Sequence, residues 1–308
     1  MKDQKIIEDN SLNLVALLKL FYKNKKILIL SALMFGFLGV AFSFLQPNIY
    51  RSTAVLAPSD ENNSLSRGIA SSLGGLAGLA GISVPGGESS KASEGIKIMT
   101  SLGFFEEILK SEDLIPYLVA GKSWDKKNNK IKYNYRYNEN TDEWKPAWYS
   151  FSSKSKPSSQ DAFEEFKKIY SVSQDKMTGF VTVSIDHYSP YKAKELVDLI
   201  VFKINEDVRK RESEQAKKSI EYLNVQIEST NLAELKEALA NLIQNQIQTV
   251  MLTEASPDFL FKTLDRSVVP EIKVKPRRSI VLMLGIIFGF IIGAAGVLFN
   301  HFRKTSEI

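Results

Sequence analysis

The 308 residues carry 40 Lys and Arg against 35 Asp and Glu, a net charge of +5, two histidines and no cysteine. The missing cysteine excludes disulfides, thiolate zinc sites and cysteine nucleophiles. The charge excess is small and densest beside two apolar runs, which fits lipid headgroups and excludes a basic nucleic-acid surface.

A mean hydropathy of -0.12 averages two greasy ends and a polar middle. The first run, Ile27–Leu45, and the second, Ser279–Phe299, are uncharged, and roughly 20 such residues span ~30 Å of hydrocarbon as a helix. Small residues at Ala41 and Ser43 would also suit a signal-peptidase site. The long leader and long apolar run favour an uncleaved anchor. Lys19, Lys23, Lys25 and Lys26 precede the first run while only Arg51 follows closely, so the N-terminus is expected in the cytoplasm and the middle outside it. Lys273, Lys275, Arg277 and Arg278 oppose this at the second run. Long exported segments cross largely regardless of charge.

After the first run, "QPNIYRSTAVLAP" alternates at Tyr50, Thr53 and Val55 and reads as a strand leaving the membrane, bounded by Pro47 and Pro58. Next comes "SSLGGLAGLAGISVPGGESS", with six glycines. It lacks the Gly-Lys-Ser/Thr of a phosphate loop and the bulk of a membrane span. A mobile loop and a segment touching a partner or lining a cavity both remain, with Gly74, Gly75, Gly78 and Gly81 as the candidate contacts. Ile98, Leu102, Phe105 and Leu109 then repeat at three and four, predicting one amphipathic helix.

The stretch holding Tyr133, Tyr135, Tyr137, Trp144, Trp148 and Tyr149 is extended. Its rings suit either strand packing or stacking on sugar faces. A helix behind Pro157 with Phe163 and Phe166 on one face precedes the clearest central strand, Gly179–Asp186. His187 just beyond it reads as structural. From Pro190 an apolar seam, Leu196, Ile200, Ile204 and Val208, resumes at Ile220, Leu223 and Ile227. A helix of about 39 residues, ~58 Å long, outruns an ordinary core. A break is expected at "STNLAE", with Asn231 capping the next helix and Glu234 closing the box. That helix carries Leu232, Leu235, Leu239 and Leu242 at coiled-coil spacing. Phe259, Phe261 and Leu264 mark a returning strand, and Pro270 and Pro276 bracket an extended connector ending at Arg277 and Arg278. Both ends of the middle are tied to the bilayer, so its first and last strands are expected near each other at the base, with the helices reaching away. Gly285, Gly289 and Gly293 form a tandem G-x-x-x-G in the second run, and Gly36 and Gly39 a smaller notch in the first. Small faces of this kind let helices approach in lipid.

The two spans, "GGLAGLAG", "KSWDKKNNK", the long run from "YLNVQIEST" to "FLFKTLDRSVVPE" and above all "VVPEIKVKPRRS" resemble the Wzz chain-length determinant family of polysaccharide co-polymerases over nearly the whole chain. The resemblance implies an α+β membrane protein in which two transmembrane helices flank a periplasmic α/β base with long projecting helices. The divisions would be a cytoplasmic segment 1–26, spans 27–45 and 279–299, a periplasmic domain 46–278 and a cytoplasmic tail 300–308. Within 46–278 the base takes about 46–188 and 256–270, the long helices about 189–255 and the connector 269–278. The implied protein is a homo-oligomeric ring in the bacterial inner membrane that sets the length of O-antigen or related glycan. It would be no enzyme and would need no cofactor or metal; its partners would be a Wzy-type polymerase and lipid-linked glycan. Transmembrane glycines and charged helix faces would join the protomers. Family members with an attached cytoplasmic kinase continue well past the second span, where this chain has nine residues after Phe299. Export of exopolysaccharide or capsule, a two-span sensor and a glycan-processing enzyme are the rival readings.

Overall fold

The computed structural model describes residues 14–59, 88–111, 113–146 and 156–306. The glycine-rich contacts Gly74, Gly75, Gly78 and Gly81, and the rings of Trp148 and Tyr149, lie outside them. The chain divides into two compact units, residues 49–273 and the two ends, 1–48 with 274–308.

The terminal unit is helical: α1 is Leu14–Lys23, α2 Lys25–Leu45 and α8 Arg278–Ser306. Two candidate membrane spans, Lys25–Leu45 and Arg278–Arg303, cover the apolar runs. Leu30, Leu33, Phe37, Ile287 and Phe290 are exposed, the surface that hydrocarbon would cover. Helix α1 carries no signal that sequence reading used.

The larger unit is built on a sheet of order β6-β7-β1-β8, every pairing antiparallel. Here β1 is Ile49–Pro58, β6 Tyr170–Gln174, β7 Val181–His187 and β8 Phe261–Asp265. The first strand thus pairs with the returning one, Leu56 opposite Thr263 and Pro58 opposite Phe261. The apolar side of β1 is Ser52, Ala54 and Leu56, not the side of Thr53 and Val55. Ala54 lies opposite Val183 and Leu56 opposite Val181, and these aliphatic side chains tile one buried face. The other face pairs Thr53 with Ser184 through their hydroxyls at 3.2 Å.

Between β1 and β6 come α3, Glu88–Met99, and α4, Leu102–Ser111. The single amphipathic helix expected there is two. Ser101 breaks it: its hydroxyl donates to the Ile98 carbonyl and accepts from the Phe104 amide, the capping competition that serine offers a helix. A π-helical turn, Pro116–Ala120, leads into the hairpin of β2, Gly121–Asp125, and β3, Lys130–Tyr133, and then into a two-residue ladder of β4, Tyr137–Asn138, and β5, Glu143–Trp144. Helix α5, Ser159–Ile169, starts in a capping box between Ser158 and Asp161 and packs Phe166 against Phe105, ring centres 4.9 Å apart.

Ser189 caps α6, Pro190–Ser229, by accepting the Lys192 amide, and Pro190 fits its first turn. Its 40 residues make it about 60 Å long. Ala193, Leu196, Val197, Ile200 and Ile204 are buried in the core cluster, whereas beyond Val208 only Ala216 is buried among its described residues. That distal half packs on α7, Ala233–Ala255, which folds back after a three-residue connection. The break at residues 230–232 agrees with expectation; the cap does not. Leu232 holds the cap position and no side chain satisfies it. Leu232 and Leu235 are exposed rather than packed in a seam within the chain. Phe259 is buried before β8 begins, and Leu264 points outward.

One polar residue inside the apolar stripe of α6 joins helix to sheet. Asn205, 3% exposed, accepts from the Leu260 and Phe261 amides at 2.9 Å each and donates to the Phe261 carbonyl at 3.0 Å. An unsatisfied buried polar group costs about 1–3 kcal/mol. Asn205→Leu is therefore expected to destabilise the unit by about 3 kcal/mol and lower its melting temperature by roughly 6–12 °C, measured by circular dichroism on the full chain in detergent.

Candidate functional site

The transmembrane glycines face each other within one chain. A Cβ on Gly285 would lie 2.8 Å from the Phe35 carbonyl, and one on Gly289 2.6 Å from that of Ser31; on Gly293 it would strike the Ser31 hydroxyl. On the facing helix, Gly36 would meet Ile286 at 2.9 Å and Gly39 the Val281 carbonyl at 3.3 Å. Only glycine permits this approach of α2 and α8. Phe35 and Phe288 meet edge to face at 5.9 Å beside it. The joint between protomers expected at these glycines is thus occupied within one chain, α2 against α8.

The connector is fixed at its start. The Ser52 hydroxyl donates to the Val268 carbonyl at 2.8 Å, and that of Ser267 to Asp198 at 2.5 Å. Pro270 and Pro276 are half-buried, β9 is Lys273–Lys275, and the Lys275–Pro276 peptide is cis. The Arg277 carbonyl accepts from Ile280 and Val281 as the last helix opens, and the Arg278 guanidinium lies 4.0 Å from the Phe44 ring centre.

A groove of about 520 Å³ runs along α6, lined by Lys194, Asp198, Glu206, Arg209, Asp258 and Arg266. Asp198 holds Lys194 at 2.6 Å, and Glu206 holds Lys203 at 2.7 Å. A shallower second groove continues past Arg209 to Lys217 and Glu254, an ion pair at 3.6 Å between α6 and α7. Three bases and three acids line the first groove, which suits a polar, hydrogen-bonding surface rather than a single ion. Sequence reading missed it because its walls come from segments some 60 residues apart.

The aromatic stretch divides. Tyr133 packs edge-on to Tyr137 at 5.0 Å, and Tyr137 against Trp144 at 4.9 Å, so these rings serve each other. Burial raises the Tyr133 hydroxyl well above its ordinary range and pushes Tyr137 up to about 12, where the hydrogen bond to Asp142 adds to the effect. Tyr135 alone of these is largely exposed.

Arg51 forms a bidentate pair with Asp186, its cross-strand neighbour, at 2.5 and 2.9 Å. The Asp186 bond raises the Arg51 guanidinium, against a smaller desolvation effect. Glu107, Asp125 and Asp175 titrate below the ordinary carboxyl range, held by Lys110, the Lys127 amide and the Met177 amide respectively. Among the described residues no three of His, Asp and Glu gather as metal ligands.

The comparisons with known proteins bear on this arrangement. The family model "Wzz: Chain length determinant protein" matches residues 10–115. The matched stretch takes in the first candidate span, β1 and the paired helices α3 and α4. Among solved structures, the chain is similar to a "full-length bacterial polysaccharide co-polymerase", 14% identical, covering 95% of this chain and 99% of that one, with a TM-score of 0.38. It is also similar to a fragment of the WzzB co-polymerase from Salmonella Typhimurium, 10% identical over 74% and 100%, TM-score 0.28. A third is a point mutant of the Shigella flexneri lipopolysaccharide O-antigen chain-length regulator WzzBSF, 12% identical over 73% and 99%, TM-score 0.21. A search of curated protein sequences returns no match.

His187 closes the account of titrating groups. It is 3% exposed, its Nδ1 accepts from the Ser189 amide at 3.0 Å, and its Nε2 has no hydrogen-bond partner among the described residues. Burial lowers it from 6.5 to about 4; the Ser189 carbonyl, 3.4 Å from Nδ1, opposes the shift and the Lys192 charge adds to the lowering. The unfolded chain therefore binds the extra proton between pH 6.5 and 4. The stability contributed by neutral His187 is full above pH 6.5 and falls by about 3 kcal/mol as the pH drops through that window. His187→Asn keeps an acceptor for Ser189 and cannot titrate there. Denaturant titrations from pH 7 to 4 should show a shallower loss in the variant; matching slopes would clear His187.

Proposed function

We propose that this chain is a non-catalytic regulator of polysaccharide chain length, acting on O-antigen-type glycan made by a Wzy-type polymerase from lipid-linked repeat units. The observation that carries the reading is the Wzz family match over residues 10–115. The two candidate spans around the larger unit support an inner-membrane protein with residues 49–273 on the periplasmic side.

The working form is a homo-oligomeric ring. Since the glycine notches of α2 and α8 are filled within one chain, those glycines set the spacing of the two spans, and the joints between copies fall on α6 and α7. Tyr222, Val225, Leu235, Ile247 and Met251 are exposed along that helical pair, the apolar surface a neighbouring copy would cover. The connector with Pro270, Pro276, Arg277 and Arg278 couples the larger unit to the second span. Gly74, Gly75, Gly78 and Gly81 contact polymerase or glycan. The ring holds polymerase or growing chain and biases when extension stops.

Deleting the gene should leave glycan synthesis intact while the modal band on a lipopolysaccharide gel spreads into an unregulated ladder. An unchanged ladder rejects this function.

A further inference from the structure

The β2–β3 hairpin concentrates five lysines on one small element. Lys122, Lys126, Lys127, Lys130 and Lys132 are all exposed and stand against Asp125 alone, in a chain whose whole excess is +5. Lys132 reaches Asp125 at 3.6 Å. The other four make no ion pair among the described residues. Asp125 is engaged in the turn, accepting from the Lys127 amide at 3.0 Å and the Asn128 side chain at 3.2 Å.

At the centre of this hairpin stands Trp124. Its indole N–H donates to Asn129 at 3.0 Å, and its ring lies between Tyr50, edge-on at 6.0 Å, and Tyr191 at 6.1 Å. Tyr191 is 52% exposed. Three amphipathic rings with a rim of free lysines are the composition favoured where protein meets lipid headgroups. Tyr50 is also tethered: it follows Leu45, the last residue of the first candidate span, by five residues, and five extended residues reach about 17 Å at most.

We infer that the β2–β3 hairpin docks on anionic lipid headgroups, its lysines on the phosphates and the Tyr50, Trp124 and Tyr191 rings at the interface. An acidic glycan offers the lysines the same charge. It lacks the tether, and the grooves along α6 and α7 that would seat a saccharide are lined by other residues. The inference rests on α2 and α8 being membrane spans.

The absence of cysteine gives a clean test. The full chain carrying Lys127→Cys is labelled with a dye and placed in nanodiscs of phosphatidylcholine alone or mixed equally with phosphatidylglycerol, each with a headgroup-attached quencher. Asn231→Cys, in the α6–α7 connection, is the reference. Quenching at position 127 should rise about twofold with the anionic lipid at low salt, and high salt should reverse the rise. Adding Lys122→Glu, Lys126→Glu and Lys130→Glu should abolish it, with position 231 unmoved. Equal quenching in both lipids, or a rise that survives the charge reversal, overturns the inference. So does a label that ignores lipid charge but responds to soluble polyuronate, which assigns the lysines to acidic glycan. Failure to enter nanodiscs at all would instead reject the spans.

Discussion

Pairing of β1 with β8 is the contact on which the rest of the larger unit depends. The strand that follows the first span lies beside the strand that returns toward the second, and the register from Pro58–Phe261 to Val55–Asp265 fixes them. Closing a loop of about 200 residues costs about 5 kcal/mol by the logarithmic rule, and residues so far apart in sequence recover it only through contacts on both sides of the closure. Asn205 supplies one set, gripping the backbone of Leu260 and Phe261 from α6. Ser52 and Ser267 supply another, binding Val268 and Asp198 where the chain leaves the sheet. The two spans close the same loop through the glycine faces of α2 and α8. Once either closure forms, the entropic cost of the other is largely met.

That constraint was legible from the sequence, because two anchored ends force the first and last strands together whatever lies between. Long, strongly periodic elements were legible for a related reason: the seam from Leu196 to Ile227 has no reading except one long helix, and the helix is 40 residues. Local chemistry was harder. Tyr50, Thr53 and Val55 carried the alternation of β1 in the sequence, yet its buried positions are Ser52, Ala54 and Leu56, because burial is set by what packs on each face and not by β-branching. Ser101 looked like one more polar residue on an amphipathic helix, and its side chain breaks it. Asn231 looked like a cap and caps nothing. In each case the deciding neighbour is a backbone group or a distant element that periodicity does not encode.

Function was legible to the extent that it resides in architecture. The spans, connector and long helices were legible in the sequence, and the family model matches residues 10–115. The groove from Lys194 to Arg266, the Arg51–Asp186 pair and the Trp124 cluster were not, because their members meet only through folding. The structure also redirects one idea. Glycines that the sequence offered to a neighbouring copy are taken up within the chain, those of α2 against α8 and those of α8 against α2.

Assembly is therefore the claim that most needs measurement. Imaging the full chain in lipid nanodiscs by electron cryomicroscopy tests it directly. A closed ring with rotational symmetry, its joints formed by α6 and α7, is the predicted result. A stable monomer across the working concentration range would contradict the account.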